Sequence, residues 1–279
     1  KDWDLTYKEQ VKLEIYGKVQ SAVNPIATAP TKRKVPIREI ALASVIAVSS
    51  FLFLLTYVNH GTSTKYVTKR AEAGQHATIN LRDGSSVKLN AGSSITYPQA
   101  FDDDIRQVEL VGEAYFQVKH QPDVPFIVKS GATETKVLGT SFNINAFSDR
   151  ETRITLVEGR VAVTAADQEA QLAAGEQVVF YNPSQKLSEV TSAEGNATAW
   201  LDGVIQFQDT PLDEVVATLE RWYDADIFLV DPALSQCKIS GKFKEDRLVN
   251  VLEGLKFLAD IEYDTQDFKQ IYLSGEGCR

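Results

Sequence analysis

Ile40–Val58, IALASVIAVSSFLFLLTYV, is the stretch on which the organisation of this 279-residue chain turns. Its nineteen residues carry no charge, no Pro and no Gly. As a helix rising ~1.5 Å per residue they would cover roughly 28 Å, close to the ~30 Å hydrocarbon core of a bilayer. A lone segment crossing lipid has to be helical, because hydrocarbon offers no partner to backbone N–H and C=O groups. A buried core helix would show a polar stripe, and only Ser44, Ser49, Ser50 and Thr56 interrupt this one. A signal peptide has a shorter apolar region near the start and a small-residue cleavage site, which Tyr57-Val58-Asn59-His60 does not resemble. The reading is a single-pass transmembrane protein with its helix, flanks included, over residues 37–59.

Charge sets the orientation. Lys32, Arg33, Lys34 and Arg38 lie within ten residues before the span, while only Lys65 lies that close after it, with Lys69 and Arg70 further on. The positive-inside rule therefore places the N-terminus in the cytoplasm and the long C-terminal part across the membrane. Residues 1–36 carry a net +3 and the part after residue 39 carries −12, within a total of −9. So acidic a distal part argues against direct nucleic-acid binding, which needs a basic surface for phosphates. Cys237 and Cys278 have no metal-type spacing and could pair in an oxidising compartment. With no Met in the chain, the initiator and part of the N-terminal segment are expected to be missing.

Upstream of the span, residues 1–23 read as one amphipathic helix. Thr6 and Glu9 have capping-box spacing, and Val11, Ile15 and Val19 fall at i, i+4 and i+8 with Tyr16 beside them. Pro25, Pro30 and Pro36 separate this helix from the membrane. A lone helix of this length is marginal in water, so Val11, Ile15, Tyr16 and Val19 are expected to bind a partner protein or lie on membrane lipid. Topology suffices to explain the basic run Lys32–Lys34.

Downstream, residues 60–76 read as a polar linker. From Ala77 the period changes to two. Ile79 and Leu81, Asp83-Gly84, then Val87 and Leu89 read as a hairpin, and Val108, Leu110, Ala114, Phe116 and Val118 alternate around Gly112, which suits a bulge. Short strands continue to Phe180, indicating an all-β domain over 77–182, a sandwich or solenoid. Residues 183–202 read as a second linker. From 203 to 279 the order is β–α–β–β–α–β–β, a small α+β domain with two helices on one face of a sheet. Its first helix is expected to be capped by Thr210, with Pro211 at its first position and Leu212, Val215, Val216, Leu219 and Trp222 on its apolar face. Ile271–Leu273 or Val204–Phe207 are candidate sheet edges for pairing with a partner strand.

The chain lacks an enzyme's usual parts. His60, His76 and His120 stand apart from one another and from any cysteine at ligand spacing, and no nucleophile elbow, P-loop or dinucleotide fingerprint occurs. Asp102-Asp103-Asp104 lacks the alternation and the Gly of a calcium loop. No cofactor or metal is expected. Gly139-Thr140 is the exception in chemistry. A Thr hydroxyl can attack the preceding Gly carbonyl and leave an ester that hydrolyses, if the local backbone is strained; the alternative is a tight turn that Gly fits.

Several segments together resemble FecR-type transmembrane sigma-factor regulators: Asp83-Gly84-Ser85-Ser86-Val87-Lys88-Leu89-Asn90, Gly112-Glu113-Ala114-Tyr115-Phe116-Gln117-Val118, Pro125-Phe126-Ile127-Val128, Val137-Leu138-Gly139-Thr140-Ser141-Phe142 and Leu156-Val157-Glu158-Gly159-Arg160-Val161. Residues from about Phe207 to Tyr263 resemble the C-terminal domain that accompanies FecR in Bacteroidetes-type regulators, itself similar to the small signalling domain of outer-membrane transducers. The resemblance implies an inner-membrane protein whose cytoplasmic segment, 1–36 here, binds an extracytoplasmic-function sigma factor. It also implies that the periplasmic part senses the signalling domain of a TonB-dependent outer-membrane transporter, so that transport state is relayed to transcription. Some members cleave themselves at the Gly-Thr matched by Gly139 and Thr140. The family's cytoplasmic segment is usually longer than this one. The competing readings are a membrane-anchored periplasmic binding or scaffold protein without a cytoplasmic partner and a surface-anchored hydrolase, which the missing nucleophile and base disfavour.

Overall fold

The computed structural model describes residues 4–23, 47–51, 64–147, 151–193, 195–244, 247–267 and 269–275. The chain divides into two units, Lys1–Ser63 and Thr64–Arg279. In the first, α1 (Asp4–Val23) is one continuous helix. Val11, Ile15, Tyr16 and Val19 are exposed on it, as is Leu13. At ~3.6 residues per turn Lys12 falls inside the stripe those four residues draw, and Leu13 falls outside it, so the helix is less amphipathic than its i, i+4, i+8 spacing suggests. Of the expected membrane span, residues 47–51 are helical and the rest lies outside the described residues. Among the described residues, no helix is long and apolar enough to cross a membrane.

The second unit begins with β-structure. Its strands are β1 (Tyr66–Arg70), β2 (Ala77–Asn80), β3 (Ser86–Leu89), β4 (Ser94–Pro98), β5 (Arg106–Gln117), β6 (Phe126–Ser130), β7 (Thr133–Val137), β8 (Ser141–Ala146), β9 (Glu151–Glu158), β10 (Arg160–Ala165), β11 (Gln168–Ala173), β12 (Glu176–Tyr181), β13 (Lys186–Leu187) and β14 (Thr191–Ser192). β5 joins the layers. Its first half pairs with β4 and, in parallel, with β6; its second half pairs with β3 and β8. Val108 and Leu110 from the first half and Ala114 and Phe116 from the second point into one core, with Phe126, Phe142, Ile144 and Ile154. Apart from β5–β6, the pairings are antiparallel, which is the pattern of a sandwich and not of a coil of parallel repeats.

Three expectations change here. The stretch read as linker 60–76 contains β1, which pairs with β4 from Tyr66↔Pro98 to Arg70↔Ser94; its polar composition reflects an exposed edge strand. Gly112 marks the point where β5 changes partners, and no register slip occurs there; a Cβ at 112 would come within 2.6 Å of Ser93 Oγ and 2.8 Å of the Phe147 ring. The stretch read as linker 183–202 contains β13, β14 and a 3-10 turn, Ala199–Asp202, whose Trp200 is buried.

The C-terminal part runs β15 (Val204–Pro211), α2 (Leu212–Tyr223), β16 (Asp226–Leu229), β17 (Lys238–Lys244), α3 (Leu248–Ala259), β18 (Ile261–Asp267) and β19 (Gln270–Gly275). The single expected sheet is in fact two, β15–β17 and β16–β19–β18. Both helices touch strands of both sheets, each through one apolar face: Leu212, Val215, Val216 and Leu219 of α2 and Val251, Leu252, Leu255 and Ala259 of α3 are all buried. Thr210 does not cap α2. It remains in β15, where its hydroxyl oxygen accepts from the Gln208 N–H at 3.1 Å, and Pro211 occupies the cap position.

Ile271–Leu273 is no edge. β19 is the central strand of its sheet, flanked by β16 and β18. The outer edge of β16 is itself blocked, since the Ile227 N–H donates to Glu220 Oε1 at 2.9 Å, a side-chain cover of the kind that protects edge strands. Among the described residues, β15 pairs with β17 alone.

Candidate functional site

Gly139 and Thr140 lie in the turn between β7 and β8. The chain 118–121 runs alongside, its Val118 N–H donating to the Thr140 carbonyl at 2.9 Å and its Gln121 N–H to the Leu138 carbonyl at 2.8 Å. These bonds bracket Gly139 and press it onto His120. A Cβ at 139 would overlap the His120 backbone at Cα and lie 2.6 Å from its Cβ and Nδ1. Close approach therefore explains the glycine; Gly139 does not have a left-handed φ. Thr140 is buried, and its hydroxyl donates to the Arg160 carbonyl at 3.0 Å. Gly159, with φ +97°, sits on the same side. A Cβ on Gly159 would lie 3.0 Å from Thr140 Oγ1, 3.2 Å from the Gly139 carbonyl oxygen and 3.3 Å from Thr140 Cα. The Thr140 hydroxyl and the Gly139 carbonyl thus border one small space that exists because residue 159 has no side chain.

A second constellation joins the sandwich to the C-terminal part. By alternation along β5 and β8, Glu113 and Asn143 belong to the outer face, yet both are buried. Glu113 accepts from Asn90 Nδ2 at 2.7 Å and from Asn143 Nδ2 at 2.8 Å, and its own N–H donates to Ser93 Oγ. Asn143 Oδ1 in turn accepts from the Trp200 indole N–H at 3.1 Å. Arg221, near the end of α2, stacks its guanidinium 4.0 Å above the Phe147 ring, and its carbonyl accepts from the Gly74 N–H. His76 stacks on Trp200 and meets Trp222 edge-on, at ring separations of 5.7 and 5.3 Å. Burial pushes the Glu113 carboxyl above its ordinary value, against the amide hydrogen bonds and the Arg221 charge that pull it down. Burial likewise lowers His76, partly offset by a hydrogen bond with the Leu89 backbone. A cleft of about 650 Å³ opens beside this junction, walled by Asn145, Arg153 and Thr155 on one side and by the length of β15 with Asp213 and Thr218 on the other.

The remaining sequence candidates are dispersed. Val11, Ile15, Tyr16 and Val19 are exposed on α1, in the other unit. Among the described residues, no group of His, Cys, Asp and Glu is placed to hold a metal ion. His60 and Cys278 lie outside the described residues; Cys237 is buried in the C-terminal core and disulfide-bonded. Sequence reasoning missed His120, Gly159 and Arg160 around the Gly-Thr bond and Glu113, Asn143, Trp200 and Arg221 at the junction. Alternation gave no signal for Glu113 and Asn143: each is a polar residue at an outer-face position, where polar residues ordinarily meet solvent.

Comparison with known proteins gives concordant matches. A family model described as FecR protein matches residues 66–162, and one described as FecR, C-terminal, matches residues 204–273. A 1.65 Å crystal structure of a proposed anti-sigma factor from Parabacteroides distasonis ATCC 8503 is 32% identical, with a TM-score of 0.70, covering 74% of this chain and 98% of that one. A 2.50 Å structure of a proposed anti-sigma factor from the same organism is 31% identical, with a TM-score of 0.71, covering 76% of this chain and 99% of that one. No curated protein sequence matches significantly.

Proposed function

This chain belongs to the FecR family, and from that premise we propose that it is an anti-sigma regulator working across the inner membrane. In this reading α1 holds an extracytoplasmic-function sigma factor in the cytoplasm, and residues 40–58 cross the bilayer once. The sandwich and C-terminal domain receive, in the periplasm, the signalling domain of a TonB-dependent outer-membrane transporter. The observation that carries the reading is the pair of family matches in order along one chain, together with two crystal structures of proposed anti-sigma factors that the chain covers almost completely. The exposed apolar residues of α1 supply a surface for the sigma factor. The side of β15 turned to the cleft supplies the surface for strand addition.

The protein is a regulator whose one reaction, in this reading, is its own cleavage at Gly139–Thr140. The test of the main function is co-purification of the full chain with the extracytoplasmic-function sigma factors of its own organism. Recovery of the complex, and its loss in Val11→Asp/Val19→Asp, is the expected result. An unchanged complex in the double variant would refute the assignment to α1, and no sigma factor with either protein would refute the function.

A further inference from the structure

The space bordered by Thr140 Oγ1 and the Gly139 carbonyl has a third wall, residue 159. Resting on the self-cleavage reading above, we propose that Gly159 is a positioning residue of that reaction, keeping open the space in which hydroxyl and carbonyl meet, with the Arg160 carbonyl holding the hydroxyl hydrogen. Three observations carry this. The Thr140 hydroxyl already donates to the Arg160 carbonyl at 3.0 Å. The methyl of an alanine at 159 would stand 3.0 Å from Thr140 Oγ1 and 3.2 Å from the Gly139 oxygen, tighter than ordinary packing allows. The flanking carbonyls of Leu138 and Thr140 are fixed by Gln121 and Val118 N–H groups, so the scissile unit cannot retreat from an intruding side chain. Held proximity of this kind, without backbone distortion, can supply a large part of a barrier's reduction.

The bond changes balance within the chain plus one water. Thr140 Oγ1 bonds to the Gly139 carbonyl carbon, the Gly139–Thr140 C–N bond breaks, and the hydroxyl proton ends on the Thr140 nitrogen, leaving an ester and a free amine. Water then adds to the ester carbonyl. Gly139 leaves as a carboxylic acid, and Thr140 regains its hydroxyl.

The experiment follows the full chain by intact mass after refolding, with and without hydroxylamine, which intercepts an ester at Gly139 as the hydroxamate. Gly159→Asn is the first variant, because Asn tolerates positive φ better than other residues with a Cβ. Gly159→Ala is the second. Gly175→Asn is the control for backbone strain, since Gly175 has φ +84° and nothing within 4 Å of where its Cβ would be. Melting curves report whether each variant folds. Wild type and Gly175→Asn are expected to yield fragments 1–139 and 140–279 and a hydroxamate, and folded Gly159 variants to yield each at least tenfold more slowly. Cleavage of a folded Gly159 variant at the wild-type rate overturns the role of Gly159 while leaving the reaction standing. A wild type that stays whole and gives no hydroxamate, like Thr140→Val, removes the reaction itself.

Discussion

Removing the guanidinium of Arg106 should unfold the sandwich at markedly lower temperature. Among the described residues, Arg106 is one of the largest fully buried side chains, and it is charged. Its Nη1 donates to Asp83 Oδ2 at 2.8 Å and to the Lys119 carbonyl at 3.0 Å, while Nε and Nη2 donate to the Val124 carbonyl at 3.1 and 2.8 Å. The ion pair is almost dry, with 2% and 5% of the two side chains exposed. The Phe126 ring lies 5.4 Å below the guanidinium. In Arg106→Met the aliphatic stem is kept, and the loss is confined to the charge and its hydrogen bonds. Asp83 then keeps its bonds from the Ser85 N–H and hydroxyl, and the Lys119 and Val124 carbonyls lose the guanidinium as donor. Breaking a buried pair from one side costs about 3–5 kcal/mol. For a unit of this size that lowers the melting midpoint by roughly 6–20 °C. The assay is thermal and urea unfolding of a fragment starting at Thr64, followed by circular dichroism. Adding Asp83→Asn to Arg106→Met removes the stranded charge, so the double variant should lose less than the two single losses combined. A loss below about 1 kcal/mol for Arg106→Met, or simple additivity in the double variant, would refute the assignment of this pair as a buried, coupled anchor.

At the junction, Glu113→Gln places an amide donor against one of two Asn donors and should cost about 1–3 kcal/mol at neutral pH. Because burial raises the Glu113 carboxyl in the folded state, its contribution to stability is fully present below the ordinary carboxyl value and fades as pH rises through the elevated one. The Gln variant should therefore show a flatter stability profile over that window, and an unchanged slope in urea titrations would reject this account. Trp200→Phe leaves the buried Asn143 Oδ1 without its donor and should lower stability by about 1–3 kcal/mol; a melting midpoint equal to wild type would show that the indole N–H contributes nothing.

Periodicity made the strands of the sandwich and the helices of the C-terminal part readable, because both rest on faces that are apolar at one spacing. β1 escaped it: in Tyr66–Arg70 only Val67 is even partly buried, so this edge strand carries no alternation to detect. The division of the C-terminal strands into two sheets escaped it as well. Strand pattern reports which residues face inward, and both sheets face the same two helices. At Gly139–Thr140 the dipeptide was visible but its surroundings were not, since His120 and Gly159–Arg160 reach it only through pairing between distant segments. Of the two readings the dipeptide allowed, strain or a turn that Gly fits, neither named the close approach of His120: a glycine can be required by the backbone packed against it as well as by its own dihedrals.

The outer-face polar residues explain why the C-terminal part docks where it does. A sandwich can face solvent on its outer surfaces, and polar residues there normally stay wet. Glu113 and Asn143 are dry because Trp200 and the end of α2 cover them, and they can be dry because each has partners: two amides for the carboxylate, an indole N–H for Asn143, and the facing charge of Arg221. An apolar patch in their place would accept many docking geometries, since burial of area is not directional. A carboxylate that needs two amides and a cation accepts few, because any misplacement leaves a buried polar group unpaired. The pairing across the junction therefore fixes the register between the matched halves of the chain, and it does so with residues that hydropathy alone would have assigned to solvent.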